Sequence, residues 1–534
     1  MRKILFASTL TQGFLFLVGF ILPVLYLLNK LISIHSIQYL SQSPVKKAFI
    51  NSLIFSSSSA LISTFLAFLF SWILYRFHFA YKDKILFLLK IPYLFPPFLF
   101  AMAWIALAAP QVGAIQQITD LDFSIYGLLG ASFVFTLWAV AFGAIQFKPF
   151  FETLPSVYEE AALLCGASPR KAFLKILFPL AKPQVLSCFL LTFLSGLSAF
   201  GIPALLSSPA RDYMLTTRIY QAIKTSGGFD QHSEAGILSF SLLFISLVVL
   251  GLQYFITKKS SFSFQAGKGI RSTLLKPHKT EYLLFIFCMI FVFTSVVLPS
   301  FALLHQSFLQ DRSQFISFSI LRYKYVFFEL PEVWQCLENS ALTAFLAACV
   351  AGILALFVAY HAVKKKNKLA RILIEISSLS YALPGTVLAL ALLVFFSRSL
   401  ADTLWILALA YFIKYVAFVL KTLTPATSSI SNELEEAAAL SGATPFQSFT
   451  LIFAPLLQHA LVASILLASI PMFSELTMSV LLAGAGTETL GVLLYRFQEY
   501  ADPSSACVLA CLLVLLILSF NFIVKKTTRG KLGI

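Results

Sequence analysis

Long apolar runs recur along this chain, separated by short polar stretches rich in Lys, Ser, Gly and Pro. Runs of about 20 residues suit helices that cross a bilayer. Twelve spans are expected, near residues 4–28, 49–75, 85–109, 124–147, 185–206, 235–256, 281–305, 337–361, 370–396, 403–424, 460–482 and 505–524. Backbone groups in lipid must be satisfied internally, which excludes an open sheet. The expected class is all-α, a polytopic membrane protein. The first run follows Met1-Arg2-Lys3. It is too long for a signal-peptide core and has no small-x-small cleavage site after it, so an uncleaved helix is expected.

Composition agrees. Of 534 residues, 59% are hydrophobic and 12% charged, more apolar surface than one soluble core can hide. The net charge of +16 has two readings, a nucleic-acid partner or membrane topology. Position decides between them. With both termini cytoplasmic, the cytoplasmic segments hold 26 Lys and Arg, counting Arg371 and Lys421 at the cytoplasmic ends of their spans, and the outer loops 11, while Lys90 and Lys414 fall deeper within spans. That bias fixes orientation, although Lys30, Lys46 and Lys47 run against it. No soluble basic face is left for nucleic acid. The seven cysteines form no CxxC pair, so neither a disulfide framework nor a metal site is expected.

The chain repeats itself. Glu159 to Leu180 matches Glu435 to Leu456 at 12 of 22 positions, a shift of 276. Asn51-Ser52 pairs with Asn339-Ser340, and Pro96 with Pro384, at a shift of 288. Two tandem six-helix halves follow, 1–256 and 281–534, joined by a cytoplasmic linker at 257–280. Six spans per half keep both halves in one orientation. A parallel repeat implies a pseudo-twofold axis along the membrane normal, with the pathway between the halves.

The repeated segment carries the signals of a helix-turn-helix. Ser156 precedes Glu159, and Asn432 precedes Glu435, at capping-box spacing. Gly166 and Gly442 stand where a left-handed helix end needs glycine. Ser168-Pro169 and Thr444-Pro445 offer a hydroxyl cap and a first-turn proline for a second helix. Pro179 and Pro455 mark its end or a kink. Lipid contact alone does not require this pattern twice; docking into a partner's groove does.

Glu160, Ala161, Ala162, Gly166, Ile176 and Pro179, with Glu436, Ala437, Ala438, Gly442, Ile452 and Pro455, resemble the EAA loop of permeases from binding-protein-dependent ABC importers. The resemblance implies the type I (MetI-like) permease fold. It also implies that these residues form coupling helices seated on two copies of an ATPase subunit, in a bacterial inner membrane, with an extracytoplasmic binding protein delivering cargo. Fusion of two halves is similar to the ferric-iron permeases. Thiamine, polyamine and sugar-phosphate permeases remain alternatives.

The chain carries no GxxxxGK[ST] loop, so ATP is expected to be used by partners and no cofactor to be held here. No HExxH, GxSxG or His–carboxylate cluster suggests an enzyme. An ion-coupled secondary transporter is the rival class, separable by whether uptake follows the ion gradient or ATP. Membrane-embedded charges are candidate pathway residues. Glu475 either lines the pathway or pairs with Lys414. Lys90, near Pro92 and Pro96, either faces a cavity or snorkels. Asn51 and Asn339 are expected to cap the spans they open. Arg211, Asp212 and Arg218, in the outer loop 207–234, are candidates for docking the binding protein or are merely solvated.

Overall fold

The computed structural model describes residues 10–31, 43–119, 123–154, 157–224, 229–259, 276–310, 318–500 and 502–527. Most of the linker, the acidic pair Asp120 and Asp122, and Ser156 lie outside them. Leaving aside helices of five residues or fewer and the short mixed stretches 201–210 and 321–329, the described chain holds eighteen helices in two sets of nine. The first set is α1 Leu10–Leu27, α2 Ser43–Arg76, α3 Lys82–Leu94, α4 Pro97–Ala108, α5 Leu128–Thr153, α6 Val157–Leu164, α7 Phe173–Ser198, α8 Leu215–Lys224 and α9 Phe229–Lys259. The second is α10 Lys279–Phe308, α11 Pro331–Val363, α12 Lys368–Ala382, α13 Gly385–Phe395, α14 Leu404–Ser428, α15 Glu433–Leu440, α16 Pro445–Phe473, α17 Leu490–Glu499 and α18 Pro503–Thr527. Each helix has its counterpart nine places on.

Ten helices are long and apolar enough to cross a membrane. Two of the twelve expected spans are broken instead. Helices α3 and α4 meet at 101°, and α12 and α13 at 104°. The breaks fall at Pro96 and Pro384, whose rings cannot continue a helix and push the preceding residue to extended backbone. Phe95 and Leu383 have ψ 141° and 148°.

Proline shapes the straight spans differently. Six π-helical turns occur among the described residues: Leu17–Ile21, Phe173–Leu177, Pro203–Ser207, Phe293–Val297, Tyr325–Glu329 and Phe449–Phe453. A proline stands two residues after every one: Pro23, Pro179, Pro209, Pro299, Pro331 and Pro455. Proline has no N–H to give and crowds the carbonyl four residues back. Widening the preceding turn relieves that crowding. Pro179 and Pro455 therefore do not end a short second helix before the next span. They sit inside one continuous helix that starts at Pro169 or Pro445 and runs through the span to Ser198 or Phe473.

Packing divides the described chain into two units. One comprises residues 1–42, 218–243 and 318–534. There α1 lies on helices of the second half, with Phe16 against Phe412 at 6.1 Å. Any Cβ on Gly19 would collide with Ile413. Leu27 shares a core with Ala222, Ala235, Leu390 and Ala391.

The other unit comprises residues 43–217 and 244–317. There α10 lies on helices of the first half. Phe70 meets Phe287 at 5.6 Å and Phe291 at 5.2 Å, and Phe79 stacks on Phe285 at 4.2 Å. The first helix of each half thus packs with the body of the other half.

Small residues make the inner contacts. Helix α2 buries Ser56, Ser59, Ala60, Ser63, Thr64, Ala67 and Ser71, and leaves Leu61, Ile62 and Phe65 exposed. Lipid is as apolar as leucine, so helices associate through close backbone approach rather than through burial of bulk. Gly143 is such an approach: a Cβ there would lie 2.6 Å from that of Ala67.

Candidate functional site

The repeated helix-turn-helix is built alike in both halves. At the end of α6, Gly166 has φ 79°, and at the end of α15, Gly442 has φ 81°. The next amide then reaches back five residues, Ala167 to Ala162 and Ala443 to Ala438, at 2.9 Å each. This 6→1 bond closes the helix with a left-handed glycine. The second helix starts as expected. Thr444 Oγ1 accepts from the Gln447 amide at 3.3 Å, and Gln447 Oε1 accepts from the Thr444 amide at 2.8 Å. The Lys171 amide donates to Ser168 Oγ at 3.4 Å.

The capping box expected from Asn432 and Glu435 is not formed. Asn432 Oδ1 instead accepts from Lys364 Nζ at 2.8 Å. Glu435 accepts from the Tyr360 hydroxyl at 3.0 Å and pairs with Lys365. The end of α11 has captured both side chains, so α15 is tied to the bundle rather than capped locally. A second tie is common to both halves. Arg76 donates to the Leu154 carbonyl at 3.3 Å, and its counterpart Lys364 donates to that of Ile430. Both carbonyls lie just ahead of the repeated helix.

Leu164 and Leu440, counterparts in the last turns of α6 and α15, are each 90% exposed. Ala438 of the Glu-Ala-Ala motif is buried, whereas Glu436 and Ala437 are exposed.

Two of the embedded charges, Lys414 and Glu475, have structural partners. Lys414 donates to the Leu383 carbonyl at the α12–α13 break and lies 5.9 Å from the Tyr381 ring. Its counterpart, Trp138, donates through Nε1 to the Phe95 carbonyl at the α3–α4 break, at 3.1 Å. Lys414 and Glu475 form no direct ion pair. The Glu475 carboxylate accepts from the amides of Met478 and Ser479 at 2.9 and 3.1 Å and from Ser479 Oγ at 3.0 Å. Lys90 ends the helical stretch Lys82–Lys90 and is half-buried.

Asn51 and Asn339 do not open their spans; they lie inside α2 and α11. Asn51 Nδ2 donates to the Tyr213 carbonyl at 3.1 Å, and Ser52 Oγ accepts from Leu215, the first amide of α8, at 2.8 Å. In the second half, Asn339 donates to the carbonyls of Gly486 and Glu488 at 3.0 and 2.9 Å. Ser340 Oγ accepts from Leu490, the first amide of α17, at 2.7 Å. An Asn-Ser pair thus caps a helix remote in sequence, twice. Asp212 pairs with Lys47 at 3.0 Å, and Arg218 with Glu234 at 2.7 Å. Arg211 is exposed, with φ 59°.

A model of the family described as "Binding-protein-dependent transport system inner membrane component" matches residues 59–261 and again 351–529. The chain belongs to that family. The permease is 24% identical over 479 residues to the Fe(3+)-transport system permease protein FbpB 2 of Haemophilus influenzae, covering 87% of this chain and 86% of that one. It is 23% identical over 518 residues to the ferric transport system permease protein FbpB of Actinobacillus pleuropneumoniae, covering 93% and 74%. It is 27% identical over 223 residues to the sulfate transport system permease protein CysT of Escherichia coli, covering 38% and 80%.

This is therefore a multi-pass ABC importer permease with two permease domains and no catalytic role, and its family works with a separate ATPase and a binding protein. Sequence reasoning on the permease missed Leu164 and Leu440, and the donors Trp138, Arg76 and Lys364. The signal was available in each case: the members of each pair, Leu164 with Leu440, Trp138 with Lys414 and Arg76 with Lys364, are separated by a repeat shift of 276 or 288.

Proposed function

We propose that this permease imports ferric iron. The reading rests on one observation: the two ferric-transport permeases align over 87% and 93% of the chain, both halves included, whereas the sulfate permease aligns over 38%. Both termini lie in the cytoplasm, as the Lys and Arg bias supports. Two copies of an ATPase subunit seat on α6 and α15, through Glu160, Ala161, Ala162 and Gly166 and through Glu436, Ala437, Ala438 and Gly442. Pro179 and Pro455 set the direction in which each re-enters the membrane.

The exposed Leu164 and Leu440 support that docking. A leucine covered by a partner contributes about 1.5–3 kcal/mol. ATP-driven closure of the ATPase pair moves the two helices and opens the pathway at the other end. There the binding protein, held in part by Arg211, releases its cargo. Asp212 and Arg218 are engaged by Lys47 and Glu234 and serve to shape that surface.

The test is uptake of radiolabelled ferric iron by cells carrying or lacking the chain. Loss of uptake on deletion and return on complementation is expected. Unchanged iron uptake alongside lost sulfate or thiamine uptake would overturn the assignment of cargo and leave the permease role intact.

A further inference from the structure

Helices α8 and α17 are counterparts at a repeat shift of 275, held by the same Asn-Ser caps. At that shift Tyr220 corresponds to Tyr495, and Lys224 to Glu499. The two tyrosines touch. Their ring centroids lie 6.2 Å apart, edge to face at 89°. Beyond burial, the Glu499 carboxyl lies near enough to raise both phenols. Two copies of a repeat related by rotation about an axis are separated everywhere except on that axis. A residue in contact with its own counterpart therefore marks the axis. In parallel-repeat transporters the route for cargo lies at the repeat interface, along that line.

The surroundings suit a closure. Tyr495 is buried and Tyr220 half-buried, while Lys224 and Glu499, one turn further on, are exposed. Had the duplication kept one sign at that turn, like charges would face each other across the axis. Here they are opposite: the partial burial of the Glu499 carboxyl pushes it up, and Tyr495 and Lys224 favour its ionised form. The Lys224 ammonium also lies 5.6 Å from the Tyr220 ring. Burial pushes both phenols up as well, so each keeps its hydroxyl hydrogen.

We propose that Tyr220 and Tyr495 are the gate of this permease: their contact closes the pathway in the resting state, and they part when the transporter opens at that end. The proposal depends on the permease role and not on which cargo it carries.

The test uses Tyr220→Cys/Tyr495→Cys permease, purified with its ATPase partners and reconstituted in proteoliposomes. A short bis-methanethiosulfonate should link the two positions in the resting complex. Stimulation of ATP hydrolysis by the binding protein should then be lost and should return on reduction, while each single-cysteine variant treated alike keeps it. A linked complex that is still stimulated, or a failure to link, overturns the gate. The Tyr220→Ala/Tyr495→Ala variant supplies a second arm, with ATP hydrolysis expected to lose its dependence on the binding protein. Dependence retained at the unmodified level would likewise refute it.

Discussion

Ser340→Ala isolates the cap that holds α17. The Ser340 hydroxyl is fully buried and accepts from the Leu490 amide at 2.7 Å. Leu490 is itself fully buried, so no water can replace the lost acceptor. Leaving a buried N–H without a partner costs about 1–3 kcal/mol, which overlaps the cost of about 0.5–2 kcal/mol for deleting a helix N-cap. A value of about 2 kcal/mol is expected. Asn339→Ala removes two bonds but should cost less, about 1 kcal/mol, because the Gly486 and Glu488 carbonyls it serves are exposed or half-exposed and can turn to water.

Amide exchange over residues 484–499 reads both effects locally. At 1.4 kcal/mol per tenfold, Ser340→Ala should speed exchange at Leu490 about 30-fold and Asn339→Ala about fivefold. Ser52→Ala should do the same to Leu215 in α8, since both groups are buried there too. Unchanged exchange at Leu490, or a larger effect from Asn339→Ala, would refute the assignment of the cap.

Three further outcomes bear on the repeated helices. Gly442→Ala and Gly166→Ala force alanine into a left-handed conformation with nothing within 4 Å to clash. The cost is then conformational, about 1 kcal/mol, and asparagine should cost less; co-purification of the ATPase subunits should weaken in that order. Leu164→Asp and Leu440→Asp change residues that touch little of this chain, so thermal stability should hold while ATPase affinity falls about tenfold or more, the equivalent of 1.5–3 kcal/mol. Lys365→Met removes a partly exposed partner of Glu435 and should loosen α15 by less than about 1 kcal/mol. Tyr360→Phe removes a buried one and should loosen it more, both read as protease sensitivity near residue 435.

The spans and the duplication were legible because each rests on local chemistry, whereas the two breaks fall inside runs expected to cross as single spans. Bilayer thickness sets run length, and Pro96 and Pro384 interrupt it at matching places. The start of the second repeated helix was legible for the same reason, through Thr444 and Pro445. What could not be read was the partner of each polar side chain. Asn432 and Glu435 have the spacing of a capping box, yet Lys364, Lys365 and Tyr360 arrive from another helix and take them. Asn51 and Asn339 looked like caps of their own spans because spacing carries no information about a helix more than 140 residues away. The exchange of α1 and α10 left no trace either, since apolar faces in lipid do not name their partner.

The donors at the two breaks bear on Glu475. Trp138 and Lys414 share no chemistry beyond an N–H, yet both satisfy the carbonyl ahead of a proline. What the duplication kept is therefore the backbone group to be satisfied, not the side chain that satisfies it. Glu475 fits this rule although its counterpart is Ala199. In the first half, helix resumes at Gly201 and soon supplies its own backbone partners. In the second half helix resumes only at Ser479, and the amides of Met478 and Ser479 turn to the carboxylate. Glu475→Gln keeps one acceptor oxygen and sets an NH2 group against donors. It should lower stability by about 1 kcal/mol while uptake per folded molecule is retained. If uptake is lost with thermal stability unchanged, Glu475 touches cargo and the scaffold reading fails.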